Sequence, residues 1–280
     1  MNNYLISYAT PNYYKNQRRL NKSALAFGVD EVESYTRSKI KRSKFYRENR
    51  VVLDKERGSG YWLWKPYIIL DFIEQMDDGD LLIYMDTGVE IIRDITPLVD
   101  ICTQQGGILL FGNHGHLNKV WTKRDCFVAM DCDSDKYYNS EQITASFQFY
   151  IKNERSLSFL REYLFYCQNP SIITDIPNIC GLENFPEFVS HRHDQSVLSL
   201  LSIKYNIEIF RDPCQWSNHM KMEAFREENE FLPMPYSQSP YTNSNYHTLL
   251  NHHRERPLSL FGRLKRSLRN LTTKVKITHE

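Results

Sequence analysis

The chain has 280 residues, 41% of them hydrophobic and 25% charged, with a formal net charge of +1 at pH 7; this is the balance of an ordinary globular protein and argues against a chain built to coat a polyanion. Six cysteines, at 102, 126, 132, 167, 180 and 214, form no Cys-x-x-Cys pair, so neither a structural zinc nor a redox dithiol is signalled and reduced thiols in a cytoplasmic setting are the simpler reading. No early segment joins a basic start to an apolar run, and no stretch reaches the roughly 18 apolar residues that cross a bilayer, so neither a signal peptide nor a spanning helix is expected.

In chain order, Tyr4-Leu5-Ile6-Ser7-Tyr8 reads as a first strand whose end enters a loop at Thr10-Pro11-Asn12. Ligands of open α/β sheets bind at such ends. Lys15 to Ala26 has a helical pattern, and Val32 to Thr36 suits a second strand. Gly58-Ser59-Gly60 punctuates the chain before a helix-spaced apolar series from Tyr61 to Met76, with Pro66 tolerable only near its first turn. Leu81 to Met85 is apolar without alternation, as suits a strand covered on both faces, and it stops at Asp86. Further strands are expected at Ile108 to Gly112, Ser146 to Lys152 and Ile207 to Phe210, with helices running to about Cys167 and from Asp194 to Tyr205. Prolines and glycines interrupt 168 to 189, which reads as a long surface loop. Strands alternating with helices predict an α/β fold with a mostly parallel central sheet flanked by helices.

The strongest local signal is Asp86-Thr87-Gly88, where a buried strand delivers a carboxylate rigidly to its end and a glycine permits close approach. Such a site suits a divalent cation carrying phosphates, because Mg²⁺ and Mn²⁺ prefer oxygen ligands. The local alternative is that Asp86 caps a turn and Gly88 supplies a positive φ. Asp131, Asp133 and Asp135 alternate like a calcium loop, but Lys136 and Gln142 stand where its glycine and glutamate belong, so calcium is not expected.

Four segments, GSGYWLWKP at 58 to 66, GDLLIYMDTG at 79 to 88, QITASFQFYIKN at 142 to 153 and HRHDQSVLSLLSIKY at 191 to 205, together resemble bacterial and viral GT-A glycosyltransferases over roughly residues 1 to 255. The resemblance implies a single Rossmann-like domain that binds a nucleotide-sugar at its strand ends and holds a metal-diphosphate with an Asp-x-Asp motif. Asp86 matches the first acid of that motif, and Gly88 replaces the second. Mn²⁺ or Mg²⁺ would then need a further ligand, for which His252 and His253 are candidates and His247 a weaker one; the alternative is that these are surface histidines. Arg254 suits a phosphate grip, since its planar fork matches oxygen pairs. The resemblance also places Lys65 and its neighbours Trp62 and Trp64 beside the donor, with Lys65 in the cleft against phosphate and one tryptophan packed in the core. Tyr8 and Thr10 would face the nucleoside. Ser146 and Gln148 are secondary candidates on a strand. Asp194, with Gln195, matches an acidic position beside the transferred sugar and would act as general base; the competing role for Asp194 is helix N-cap.

Beyond Pro257, Leu260, Phe261, Leu264, Leu268 and Leu271 recur every three or four residues among Arg263, Lys265, Arg266, Arg269, Lys274 and Lys276. This outlines a basic amphipathic helix suited to an anionic membrane surface, or else to a protein partner or to packing as a terminal helix. The expectation is therefore a glycosyltransferase domain over 1 to 255 and a tail over 256 to 280. It would move a hexose from a nucleoside diphosphate, UDP by family frequency, to a hydroxyl of a glycan or lipid-linked acceptor in surface polysaccharide synthesis. Its place would be the cytoplasm, peripheral at the inner face of the membrane, with no nucleic-acid partner. The alternatives are a carbohydrate-binding protein without transfer and a metal-dependent phosphohydrolase.

Overall fold

The computed structural model describes residues 1–215 and 241–253; Arg254 and the tail from 256 to 280 lie outside the described residues. Its strands are β1 (Asn3–Ala9), β2 (Glu31–Thr36), β3 (Leu81–Met85), β4 (Val89–Ile91), β5 (Ile108–Leu117), β6 (Glu141–Ile143), β7 (Phe147–Ile151), β8 (Ile209–Arg211) and β9 (Leu250–His252). The main sheet is ordered β2-β1-β3-β7-β5, with β6 continuing the line of β7 along one edge of β5 and β8 on its other edge. Strands β1, β2, β3, β5 and β8 run in one direction, and β6 and β7 run against them. The sheet is thus mostly parallel in orientation but mixed in pairing, because one antiparallel line is inserted between β3 and β5.

All five residues of β3 are buried, as its unbroken apolar run requires. Full burial of Leu81, Leu82 and Ile83 contributes roughly 1.5–3 kcal/mol each. Pleating sends Leu82 and Tyr84 to one face, under the helices Trp64–Ile73, Glu154–Cys167 and Asp194–Lys204. Leu81, Ile83 and Met85 meet the opposite core, which includes Leu20, Leu98 and Val99 of the helices Tyr14–Ala26 and Thr96–Gln104. No described helix is long and apolar enough to cross a membrane.

Strand β4, which follows Asp86-Thr87-Gly88 directly, pairs antiparallel with β9. Residues 241–253 therefore return across the sheet's C-terminal rim: Tyr241 donates to Glu141 at 2.8 Å, Ser244 accepts from the Arg211 amide at 2.8 Å, and His253 donates its amide to the Gly88 carbonyl at 2.8 Å. Three-residue strands paired over such separations leave no periodic trace, so β4, β6 and β9 were not expected from the sequence.

Candidate functional site

The helix Trp64–Ile73 begins from a left-handed turn. Gly58, Ser59, Gly60, Tyr61 and Trp62 all have positive φ, from 52° to 105°. Left-handed backbone costs a residue with a side chain roughly 1–2 kcal/mol, so Ser59, Tyr61 and Trp62 must be held by what they touch. Trp64 donates its indole N–H to the Gly58 carbonyl at 2.9 Å, and Trp62 stacks on the His193 ring at 5.3 Å. The Ser59 hydroxyl accepts from Arg37 at 3.1 Å and shares a hydrogen bond with the Tyr8 hydroxyl at 3.1 Å. At Gly60 a Cβ would lie 2.6 Å from the Leu53 α-carbon, so only glycine fits.

This turn aims Lys65 inward. Its ammonium lies 2.9 Å from Asp194 Oδ2 and 3.7 Å from Asp86 Oδ1, and it donates to the Ala145 carbonyl at 3.2 Å. Burial opposes the charge on Lys65, yet the Asp194 and Asp86 carboxylates outweigh it and hold the ammonium above its ordinary range. For Asp194, burial pushes the carboxyl up against the pull of Lys65. Tyr84 donates its hydroxyl to Asp86 Oδ1, and Tyr163 donates to Asp194 Oδ2 at 3.4 Å. Burial and the neighbouring carboxylates raise both phenols well above their usual range, so they remain neutral donors. Of the three charged side chains, Lys65 is 3% exposed, Asp194 5% and Asp86 35%; only Asp86 faces solvent.

The break between β6 and β7 supplies the backbone of this cluster. Thr144 donates its amide to Phe111, Ala145 presents its carbonyl to Lys65, and the Ser146 carbonyl accepts the Asp86 amide at 2.8 Å. Ser146 thus precedes β7 and acts here through its backbone, while Gln148 is wholly buried and bonded to Ala145 and Tyr150.

Several expectations are corrected by this geometry. Lys65 does not stand in a solvent cleft against phosphate, because it is spent on two carboxylates. Tyr8 is 7% exposed and stacked on Trp64 at 4.0 Å, so its ring offers no open face to a nucleoside base; Thr10, just past β1, is half-buried. Trp64 is the packed tryptophan and Trp62 the half-buried one. Asp194 is the first residue of its helix and His193 occupies the cap position. As its carboxylate is enclosed and bound to Lys65, it holds the ammonium and is not open to an acceptor hydroxyl in this arrangement. Gln195 is half-buried and donates to Gln142 at 2.8 Å. Gly88 has no positive φ, and a Cβ there would meet only the His253 carbonyl at 3.8 Å.

The histidines expected to complete a metal shell divide. His253 is drawn to Gly88 through its backbone, which brings residues 250 to 253 alongside the turn that follows Asp86. The His252 ring lies 5.8 Å from the Phe147 ring and counters the burial that raises the Asp212 carboxyl. His247 is exposed. Among the described residues no group of three or more His, Cys, Asp or Glu side chains could hold a metal by itself. Of the cluster's two carboxylates, Asp86 is the one open to an incoming cation. Thr87 is buried in the same turn.

Tyr84, Tyr163, Arg37 and Ser59 join this site without being candidates in the sequence analysis. Tyr84, two residues before Asp86 on one strand, and Ser59, between two glycines, carried the only readable cues.

No protein-family model matches the chain, and no curated protein matches it. Among solved structures, the chain is similar to mouse xyloside xylosyltransferase 1 in its apo form, with 11% identity and a TM-score of 0.47 over 91% of this chain and 98% of that one. It is also similar to an active-site mutant of LgtC, with 15% identity and a TM-score of 0.43 over 90% of this chain and 88% of that one. A third is the galactosyltransferase LgtC in complex with donor and acceptor sugar analogues, at 13% identity and a TM-score of 0.41, covering 92% of this chain and 90% of that one.

Proposed function

We propose that the chain transfers a hexose-type sugar from a nucleoside diphosphate, with UDP as the working nucleotide, to a hydroxyl of a glycan or lipid-linked acceptor. The observation that carries this reading is the placement of Asp86. It is the one solvent-facing carboxylate of a rigid cluster at the C-terminal rim of the parallel strands, the edge where open α/β sheets take their ligands. Two carboxylates and one ammonium leave the cluster one negative charge, so a diphosphate approaching Asp86 needs a cation between them. Mn²⁺ or Mg²⁺ held by Asp86 would supply that neutralisation and would stabilise the charge of a departing nucleotide. Lys65 and Asp194 hold Asp86 in position from behind. The motifs at 58 to 66, 79 to 88, 142 to 153 and 191 to 205 agree with this reading. Arg254 would add a phosphate grip, and the basic tail from 256 to 280 would hold the domain at an anionic membrane.

The test is thermal unfolding with UDP-glucose or UDP-galactose and Mn²⁺. The expected result is a raised Tm that Asp86→Asn removes, together with slow release of free sugar from the donor. Absence of any shift with a panel of nucleotide-sugars would overturn the reading, and stabilisation without sugar release would reduce the chain to a binding protein.

A further inference from the structure

Next to the Asp86 cluster, the register of β5 breaks in a way the fold does not require. Asn113 pairs with Gln142 and Leu117 with Glu141, so three residues, His114-Gly115-His116, stand out of the ladder opposite none on β6. Bulges re-aim side chains and recur beside active sites. This one is a built feature. Glu141 accepts the Gly115 amide at 2.9 Å and lies 2.6 Å from His114 Nδ1, while its other oxygen accepts Tyr241 at 2.8 Å. His116 is turned to the Trp121 ring at 5.6 Å, and the Arg192 guanidinium lies 4.0 Å from the centre of that ring. Burial lowers the His116 pKa, and the neutral imidazole donates from Nδ1 to the His114 carbonyl at 3.1 Å, so Nε2 is the accepting nitrogen.

The position of the bulge follows from register. Ile83 of β3 and Leu109 of β5 both pair with Phe149, so Asp86 is level with Gly112 and the bulge begins just beyond it. The two strands are separated by one intervening strand position, or about 10 Å at the usual strand spacing. The gap is bridged on the rim by Gln142, which pairs with Asn113 and accepts from Gln195, the neighbour of Asp194. Neutral imidazole, amide side chains and a half-buried indole are groups that recognise a sugar ring, by paired hydrogen bonds to hydroxyls and by apolar contact with its flat face.

We infer that the bulge His114-Gly115-His116, with Trp121, Arg192 and Gln195, forms the subsite for the terminal sugar ring of the glycan acceptor. The inference rests on the transferase reading above and specifies where its second substrate docks: on the β5 side of Asp86, opposite the Tyr8, Arg37 and Ser59 side. Gly115 has a φ of +80° with no atom within 4 Å of a built Cβ, so the tip of the bulge is open. His116 is only half-buried beside that tip, so His116→Ala removes its contacts with His114 and Trp121 without emptying a buried core position.

The experiment is ligand-observed saturation-transfer NMR on the full chain, with UDP and Mn²⁺ present and the methyl glycosides of glucose, galactose and N-acetylglucosamine as probes. At least one glycoside should bind the wild-type chain. His116→Ala and, as a fold-conserving second variant, Trp121→Phe should each weaken it by about tenfold, the scale of a lost hydrogen bond or ring contact, with UDP affinity unchanged. Equal glycoside affinity in wild type and both variants overturns the subsite, as does binding of UDP with no glycoside. Glycoside binding that depends on His116 in a chain that ignores UDP supports the subsite and sinks the donor reading instead.

Discussion

Lys65 Nζ stands 2.9 Å from Asp194 Oδ2, with 3% and 5% of the two side chains exposed. Removing one member of a buried ion pair leaves the other charge without compensation, at a cost of about 3–5 kcal/mol. Lys65→Met should lower the urea-unfolding free energy by that amount, and Asp194→Asn by less, because the Lys65 ammonium keeps Asp86 at 3.7 Å as a partner. The double variant should lose clearly less than the sum of the two. Additive losses would show that the pair is not coupled.

The two histidines before Asp194 are buried and lock into neutral forms. His191 accepts the Lys123 amide on Nδ1 at 3.2 Å and donates from Nε2 to Ile172 at 2.7 Å. His193 accepts from Arg57 on Nε2 at 3.0 Å and donates from Nδ1 to Ile173 at 2.8 Å. Burial lowers both pKa values, that of His191 well below the ordinary value. Below the unfolded pKa of about 6.5 the unfolded chain takes up protons that the folded chain refuses, so these groups make stability fall as pH drops and add no slope above it. The limit is about 1.4 kcal/mol per pH unit for each ring. Urea unfolding between pH 5 and pH 8 should show this, and His191→Gln should reduce the slope below pH 6.5.

Gly60 and Gly88 look alike in sequence and differ in need. Gly60→Ala puts a methyl 2.6 Å from the Leu53 α-carbon at a φ of +105°, so a loss of several kcal/mol, on the order of 3, is expected in thermal unfolding. Gly88→Ala meets only an ordinary contact and should stay within about 0.5 kcal/mol of wild type. A large loss at Gly88 would mean the turn is tighter than its geometry indicates.

Cation binding should depend on nucleotide. Isothermal titration with Mn²⁺ alone should give no heat of site binding, since the protein offers one carboxylate, whereas Mn²⁺ with UDP should bind and Asp86→Asn should abolish it. Gly88→Asp, which supplies a second acid in the same turn, should raise Mn²⁺ affinity without nucleotide. Tight Mn²⁺ binding by the unaltered chain alone would overturn this account.

The strand that carries Asp86 was legible because burial on both faces forces an unbroken apolar run from Leu81 to Met85. The helix Asp194–Lys204 is legible for the same reason, since it too is buried nearly all round. Partnership is not recorded that way. Nothing local to Lys65 reveals a carboxylate at 194, so a lysine beside Trp64 and Pro66 reads as solvent-facing although its partners draw it into the core. The same blindness hid the β4–β9 pairing and the break at 144 to 146, whose value lies in backbone carbonyls that any residue would provide.

The clasp between Gly88 and His253 also sets an order in time. Most of the chain must be made before Val89 can find His252, and contacts closed over so long a loop form late. A chain emerging from the ribosome would assemble β1, β2 and β3 with Lys65 beneath them while the edge beside Asp86 stayed unpaired. Only when residues 241–253 arrive is that edge sealed, so the turn beside Asp86 would gain its last backbone partner in one late step and lack it in partly made chains.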